Sequence, residues 1–346
     1  MRCKTSPFIL TVAALAGLLI PTAKVLAQPA EHGLLLALSR HGHTLAIVDP
    51  STLKVIAKAP VGPDPHEVIA STDGKTAYVS IYGFGRYHAL SVIDLVNHKA
   101  LPDIDTGALN GPHGLAFAGG KVWFTAEGAK AVARYDPATS KIDWIMGTGQ
   151  NRTHMIHVTQ DQDHVYTTNV NSATVSILDK VPASQTGPSP SANRPSMDWN
   201  ETVIPVGKGD EGFDVSPDGR ELWTANAQDG TLSVIDLATR KVTATLDAKA
   251  FRANRLKFTP DGKLVLISRL GDGNLLIYDA ASKKEFKRVP IGHGAAGILM
   301  DPNGARAYVS CTPDNYVAVL DLKTLEVVGH IDVGGQPDGL AWAVRR

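Results

Sequence analysis

Apolar and polar residues alternate in short runs along most of the chain, and the runs recur. The stretch from Pro60 to Leu95 holds the fullest copy: an apolar run with a polar start (PHEVIA), a tight turn (TDGK), a second run (TAYVS), a longer loop (IYGFGRYH) and a third run (LSVIDL). Period-two alternation rich in β-branched residues predicts strands. Each third run closes on an aspartate: Asp49, Asp94, Asp136, Asp179, Asp236, Asp279 and Asp321. Their spacings are 45, 42, 43, 57, 43 and 42 residues, a period near 43 broken once. After each Asp the chain turns, with Asp or Thr side chains able to bond nearby amides, and a further alternating run follows (KVIAKAPV, KVTATLD, LEVVGHIDV). A polar loop then leads into the next copy. Asp73-Gly74, Asp218-Gly219, Asp261-Gly262 and Asn303-Gly304 mark the turn between first and second strands, and such pairs predict type I′ turns. Each repeat thus holds four short antiparallel strands, and no stretch after the N-terminus carries a helical period.

Seven repeats of four strands predict an all-β fold: a single seven-bladed β-propeller of four-stranded antiparallel blades. The ends agree. The repeat region begins near His32 with a second strand (GLLLALS) and a third (TLAIVD), and finishes on a first strand (DGLAWAV). Pairing of N- and C-terminal strands then completes one blade, and closure removes the exposed edges that an open array would leave. The one long interval holds residues 182–200 (PASQTGPSPSANRPSMDWN), a Pro- and Ser-rich insertion between the third and fourth strands of its blade. It reads as a surface loop, with a partner-binding element as the alternative and Trp199 as the residue that would dock it.

Residues 1–27 change the picture of charge and compartment. Arg2 and Lys4 precede the apolar run Phe8–Ile20, and Val25-Leu26-Ala27 has the small residues of a signal-cleavage site. Cleavage near Ala27 leaves 28–346 as the propeller, periplasmic or secreted, with no membrane span. It also removes Arg2, Lys4 and Lys24, leaving 31 basic against 34 acidic residues, a net charge of about −3. Nucleic acid is an unfavourable partner for that balance. Cys3 leaves with the signal and Cys311 remains alone, so no intramolecular disulfide forms; a buried, inert thiol is expected there. No Cys-x-x-Cys-His occurs, which argues against covalent c-type haem. The chain is expected to be a monomer.

The blocks DGKTAYVS, SVIDL, KVIAKAPVG, NGARAYVS and AVLDLKTLEVVGHIDVGGQPDGLA resemble the YVTN-repeat seven-bladed propellers, the group of exported YncE-like proteins. The resemblance covers essentially the whole chain after the signal and implies the fold rather than an activity. One repeat, residues 111–142, also resembles those of streptogramin-lyase-type propellers, which use a His with metal-binding carboxylates. That second resemblance implies catalytic candidates at His113 and Glu127 alone.

First strands line the channel of a propeller, so equivalent positions form a ring. Aligning the loop that leads into each first strand puts His66, His113, His154, Glu211, Asn254, Ala296 and Asp338 in one slot. Three imidazoles and a carboxylate in successive blades make His66, His113, His154 and Glu211 a candidate set for a divalent metal ion. His157 and His293 could supplement it. The plainer alternative is that each His bonds a neighbouring backbone carbonyl. Loops between second and third strands open on the same face and offer Arg40, Tyr82, Phe84, Arg86, Glu127, Asn169, Asn226, Arg269 and Asp314. Arg252, Arg255 and Arg269 could hold an anion in bidentate fashion. With Arg86, Asn169, Asn226, Asn254, His293 and Asp338 they form the candidate ligand-binding set.

No Gly-x-Ser-x-Gly, Walker loop, His-Glu-x-x-His or EF-hand series is present. Three functions remain. The first is binding of a small ligand, metal ion or protein partner at a His-rich channel mouth. The second is a metal-dependent lyase or lactonase at that mouth. The third is a non-catalytic scaffold.

Overall fold

The structure, a computed structural model, describes residues 33–183 and 197–344. Residues 1–32, which include the expected signal segment 1–27, residues 184–196 of the insertion and residues 345–346 lie outside the described residues. The strands form seven four-stranded antiparallel sheets set as blades around a ring. Blades are numbered by their innermost strands: Pro65–Ala70 (blade 1), Pro112–Ala118 (2), Thr153–Val158 (3), Asp210–Val215 (4), Ala253–Phe258 (5), Ala295–Met300 (6) and Pro337–Val344 (7). Blade 7 is built from both chain ends, with Leu35 opposite Trp342 and Ala37 opposite Leu340. Leu36, Leu38 and Ile47 of that blade pack on Val68, Val79 and Ile81 of blade 1, so the seam has the same apolar filling as the other blade interfaces. The predicted seven-bladed propeller closed by its terminal strands is therefore the observed fold.

The turns follow local chemistry. Asp49 accepts bonds from Ser51 and Thr52, Asp94 from Val96 and Asn97, and Asp321 from Lys323 and Thr324, each within three residues. Asp179 departs from this pattern because the insertion replaces its turn; it pairs instead with His164 and Arg240. The Asp-Gly turns also differ from expectation. A type I′ turn needs two left-handed residues, yet here only the glycine has positive φ, at 65° for Gly74 and 70° for Gly219. Ser71 O accepts from Gly74 N, and Asp73 accepts from Ser71 and Lys75, so a longer, side-chain-bonded loop replaces the two-residue turn. The insertion starts and finishes as strand: Thr174–Pro182 pairs with Met197–Pro205 up to Pro182 opposite Met197. Trp199 packs 4.9 Å from Trp144 and 6.2 Å from Trp123.

One device repeats at the inner end of every blade and decides what reaches the channel. Two residues ahead of each slot the chain is left-handed: Asp64, Gly111, Arg152, Gly209, Arg252, Gly294 and Gln336, with φ between 55° and 78°. The carbonyl of each accepts, at 2.8–3.2 Å, from the amide of the first residue after its blade's second strand. Pairing then skips over the slot in every blade, as between Pro112 and Leu115 or Ala253 and Leu256. A bulge of this kind frees a side chain from the ladder and re-aims it. Hydroxyls of the preceding blade fix several slots: Thr125 donates to His154 O at 2.6 Å, Thr168 to Glu211 O at 3.1 Å, Ser268 to Ala296 O at 2.6 Å and Ser310 to Asp338 O at 2.6 Å. Blades meet closely here, for a Cβ on Gly114 would lie 2.5 Å from His154 O. Removing one hydroxyl strands a buried carbonyl, so Thr125→Val is expected to cost about 1–3 kcal/mol in denaturant unfolding. An unchanged midpoint would show that the hydroxyl does not hold the slot.

Candidate functional site at the channel mouth

The slot residues meet in a cavity of about 590 Å³ whose wall includes His66, His113, His154, Glu211, Asn254, Ala296 and Asp338. Arg40, Tyr82, Leu270 and Thr312 join them from the position just after each second strand, and Arg152 and Arg252 from the left-handed position. The mouth is thus three rings of equivalent positions, each fixed by the repeat and varied in chemistry.

Three histidines form a row. His66 and His113 have ring centroids 5.1 Å apart, and His113 and His154 only 3.8 Å. His113 is 2 % exposed and His154 1 %. Their surroundings differ. Burial, then electrostatic interactions with His154, His66, Arg255 and Arg152, hold His113 well below the usual imidazole range, so it is neutral. Its Nδ1 is buried without a hydrogen-bond partner. Burial acts in the same direction on His154, but Glu127 and Glu211 outweigh it and raise its pKa. His154 Nδ1 bonds Glu127, and its Nε2 lies 3.5 Å from Glu211. Tyr82 donates to the other Glu127 oxygen at 2.5 Å, and Arg152 reaches Glu127 at 3.4 Å and Glu211 at 3.6 Å. Against the cost of burial, His154 and Arg152 hold Glu211 down to about 2. The adjacent Asp210 has no such partner for one oxygen, and burial pushes it up to about 8.

On the other side His66 sits between Asp64 at 3.2 Å and Asp338 at 3.6 Å, while Arg40 reaches both acids at 2.9 and 3.8 Å. Arg255 of blade 5 pairs with Glu67 of blade 1, so a buried ion pair spans the channel beneath the mouth.

Of the residues singled out in the sequence, Arg40, His66, Tyr82, Phe84, His113, His154, Glu211, Arg252, Asn254, Arg255, Ala296 and Asp338 line the cavity, and Glu127 stands behind His154. The others lie elsewhere. Asn169 and Asn226 are fully buried and bond hydroxyls of their own blades, Ser176 and Ser233, at 2.9 Å. Arg269 pairs with Asp272 and donates to Lys249 O. Arg86 turns back to Gly83 O, and His293 is exposed beside Asp314. Burial raises the Cys311 thiol to about 12, and it bonds Ile291 O.

Three charged residues of the site are absent from the sequence candidates: Asp64, Glu67 and Arg152. Their signal lies in glycine. The left-handed position is Gly in blades 2, 4 and 6, and the position after the slot is Gly in blades 2, 4, 6 and 7. Side chains where the repeat accepts Gly mark the departures.

The fold and this mouth define a seven-bladed propeller whose ionisable residues converge at one end of the channel. The profile of the cytochrome D1 heme domain family matches residues 112–305, and the chain belongs to that family. No curated protein matches the chain. Among solved structures, a functionally unknown protein from Desulfotomaculum acetoxidans is similar with a TM-score of 0.72 at 11% identity, covering 90% of this chain and 99% of that one. A putative 6-phosphogluconolactonase from Bacteroides uniformis gives 0.70 at 15% over 90% and 99%. The dihydro-heme d1 dehydrogenase NirN, in complex with DHE, gives 0.62 at 16%, covering 91% of this chain and 66% of NirN. At such identities these likenesses show the fold.

The divalent ion expected at His66, His113, His154 and Glu211 is corrected by these findings. The family is a heme domain family, and among the described residues no group of three or more His, Cys, Asp or Glu is arranged to hold an ion. The physical reason is that His154 and Glu211 are held as each other's counter-charges and His66 lies between two acids. The lack of Cys-x-x-Cys-His bears on covalent attachment, not on a heme held by side chains alone.

Two neighbouring acids should respond to pH in opposite senses. The depressed pKa of Glu211 contributes stability above its unfolded value near 4.5, lost as pH falls through about 2. Glu211→Gln is therefore expected to cost about 3 kcal/mol at neutral pH, with the gap to wild type closing below about pH 4.5. Asp210 is the reverse: its raised pKa means stability is lost as pH rises from 3.8 towards about 8. Asp210→Asn should become more stable than wild type across that range. Denaturant unfolding at several pH values checks both; parallel profiles for wild type and variants would contradict the assignments.

Proposed function

We propose that the channel mouth binds a heme of the d1 class, a flat, carboxylate-bearing iron tetrapyrrole, in an exported protein whose signal is residues 1–27. The observation that carries this reading is His113: a neutral imidazole on the cavity wall with a buried nitrogen that nothing in the protein engages. The family match supports it. The donor set fits such a group, because heme iron takes most of its ligands from the macrocycle and needs one imidazole, not a cluster. The cavity volume lies within the range of small-molecule and cofactor sites.

When bound, the heme would supply redox and axial-ligand chemistry at its iron. The chain's own residues do the rest. His113 offers the iron ligand and stays neutral because burial and its positive neighbours disfavour protonation. His154 keeps a positive charge beside it, held by Glu127 and Glu211 and directed by Tyr82 through Glu127. Arginines at the wall face the ligand's anionic edge, and the Arg255–Glu67 pair closes the channel below it.

Titrating the purified, tag-free protein with ferric heme or heme d1 is expected to give a saturable absorbance change at one heme per chain. His113→Ala should remove the imidazole-dependent part of that spectrum, and added imidazole should restore it. Wild-type protein that leaves both spectra unchanged would defeat the reading.

A further inference from the structure

We propose that Arg252 is the anchoring residue of this mouth, reserved for a carboxylate on the edge of the bound ligand; the ligand's identity as a heme rests on the reading above. The left-handed turn ahead of each slot belongs to the repeat, and glycine fills it in three blades. Any other residue there is held in a conformation that L side chains disfavour. Of the four non-glycine occupants, Gln336 is uncharged and lines a different cavity, and two others have evident compensation. Asp64 bonds Arg40 and His66, and Arg152 reaches Glu127 and Glu211. Arg252 has none. Its φ is 59°, its backbone is fixed by Ala227 O at 2.8 Å and Leu270 N at 2.9 Å, and its side chain is exposed on the cavity wall. No ion pair or side-chain hydrogen bond engages its guanidinium among the described residues, whereas Arg40, Arg152 and Arg255 are all paired.

An unpaired guanidinium carried on a fixed backbone at a pocket wall is available to an anion, and its planar fork matches a carboxylate. Exposed apolar side chains accompany it, one of them, Phe84, on the cavity wall. Phe251, next in sequence, is 51% exposed, and Phe84 of blade 1, across the channel, is 71% exposed and left-handed at φ 52°. The combination suits a flat apolar body with an acidic edge.

The test compares the same substitution at two equivalent positions. Arg252→Gly relieves the backbone and breaks no contact, so its melting temperature should equal or exceed that of wild type. Arg152→Gly removes one charged partner from each of Glu127 and Glu211 and should melt lower. Binding is read with iron-free uroporphyrin, a polycarboxylate porphyrin without the metal, by fluorescence titration. Arg252→Gly should weaken it roughly ten- to a hundredfold, the loss expected for one charge-assisted contact, and Arg252→Lys should recover part of it. Binding by Arg252→Gly equal to wild type, or destabilisation matching that of Arg152→Gly, would overturn the anchor. If wild type binds neither heme nor uroporphyrin, the heme reading fails, and citrate then serves as the polycarboxylate probe. Wild-type citrate binding lost in Arg252→Gly supports the anchor by itself; no citrate binding, or equal binding, overturns it.

Discussion

The chemistry of this propeller depends on two imidazoles packed with ring centroids 3.8 Å apart, their planes tilted by 34°, and with almost no access to water. Two positive charges at that separation in a buried site repel strongly. The surroundings therefore divide the roles. Glu127 and Glu211 converge on His154 and favour its charged form against the cost of burial, and His154 in turn disfavours a proton on His113. A neutral ring with a free nitrogen can accept a ligand, whereas a ring bonded to Glu127 through Nδ1 and facing Glu211 through Nε2 is drawn toward its protonated form. Neither state belongs to histidine as a residue type; each follows from which loop supplies the neighbours.

The pair exists because the fold repeats. Consecutive inner strands present the same freed position, so whatever occupies the slot in one blade stands next to its counterpart. A left-handed turn and a bulge build that position in all seven blades. Where the mouth has no task, glycine or alanine fills the rings, as at Gly294, Ala296 and Gly297 of blade 6. Where it has one, the same backbone carries Asp64, Arg152 or Arg252. Architecture and chemistry are separable in this chain: the first is what the blades share, the second is where they differ.

This separation explains what could be read from the sequence. Strands, blade number, terminal closure and the seven-membered slot ring were legible, because each is periodic and seven copies reinforce it. All seven slot residues occupy the second position of their inner strands. Contacts between blades were much less legible. Asn169 and Asn226 sit near the mouth in sequence order, yet their side chains turn inward to Ser176 and Ser233. Arg152 joins the site through acids that lie 25 and 59 residues away along the chain, at Glu127 and Glu211. The metal reading failed for a related reason. It counted ligand types at one position, whereas the charge of each depends on neighbours supplied by other loops.

The two adjoining histidines differ in charge, one neutral and one positive, and that difference can be measured without any ligand. Nuclear magnetic resonance of protein with isotope-labelled histidine reports the protonation of each ring nitrogen as pH is varied. The account predicts that at neutral pH His154 carries protons on both nitrogens and His113 on one, with His113 remaining neutral well below the usual imidazole range. Two rings that titrate together near the ordinary histidine value, or the reverse assignment, would contradict it.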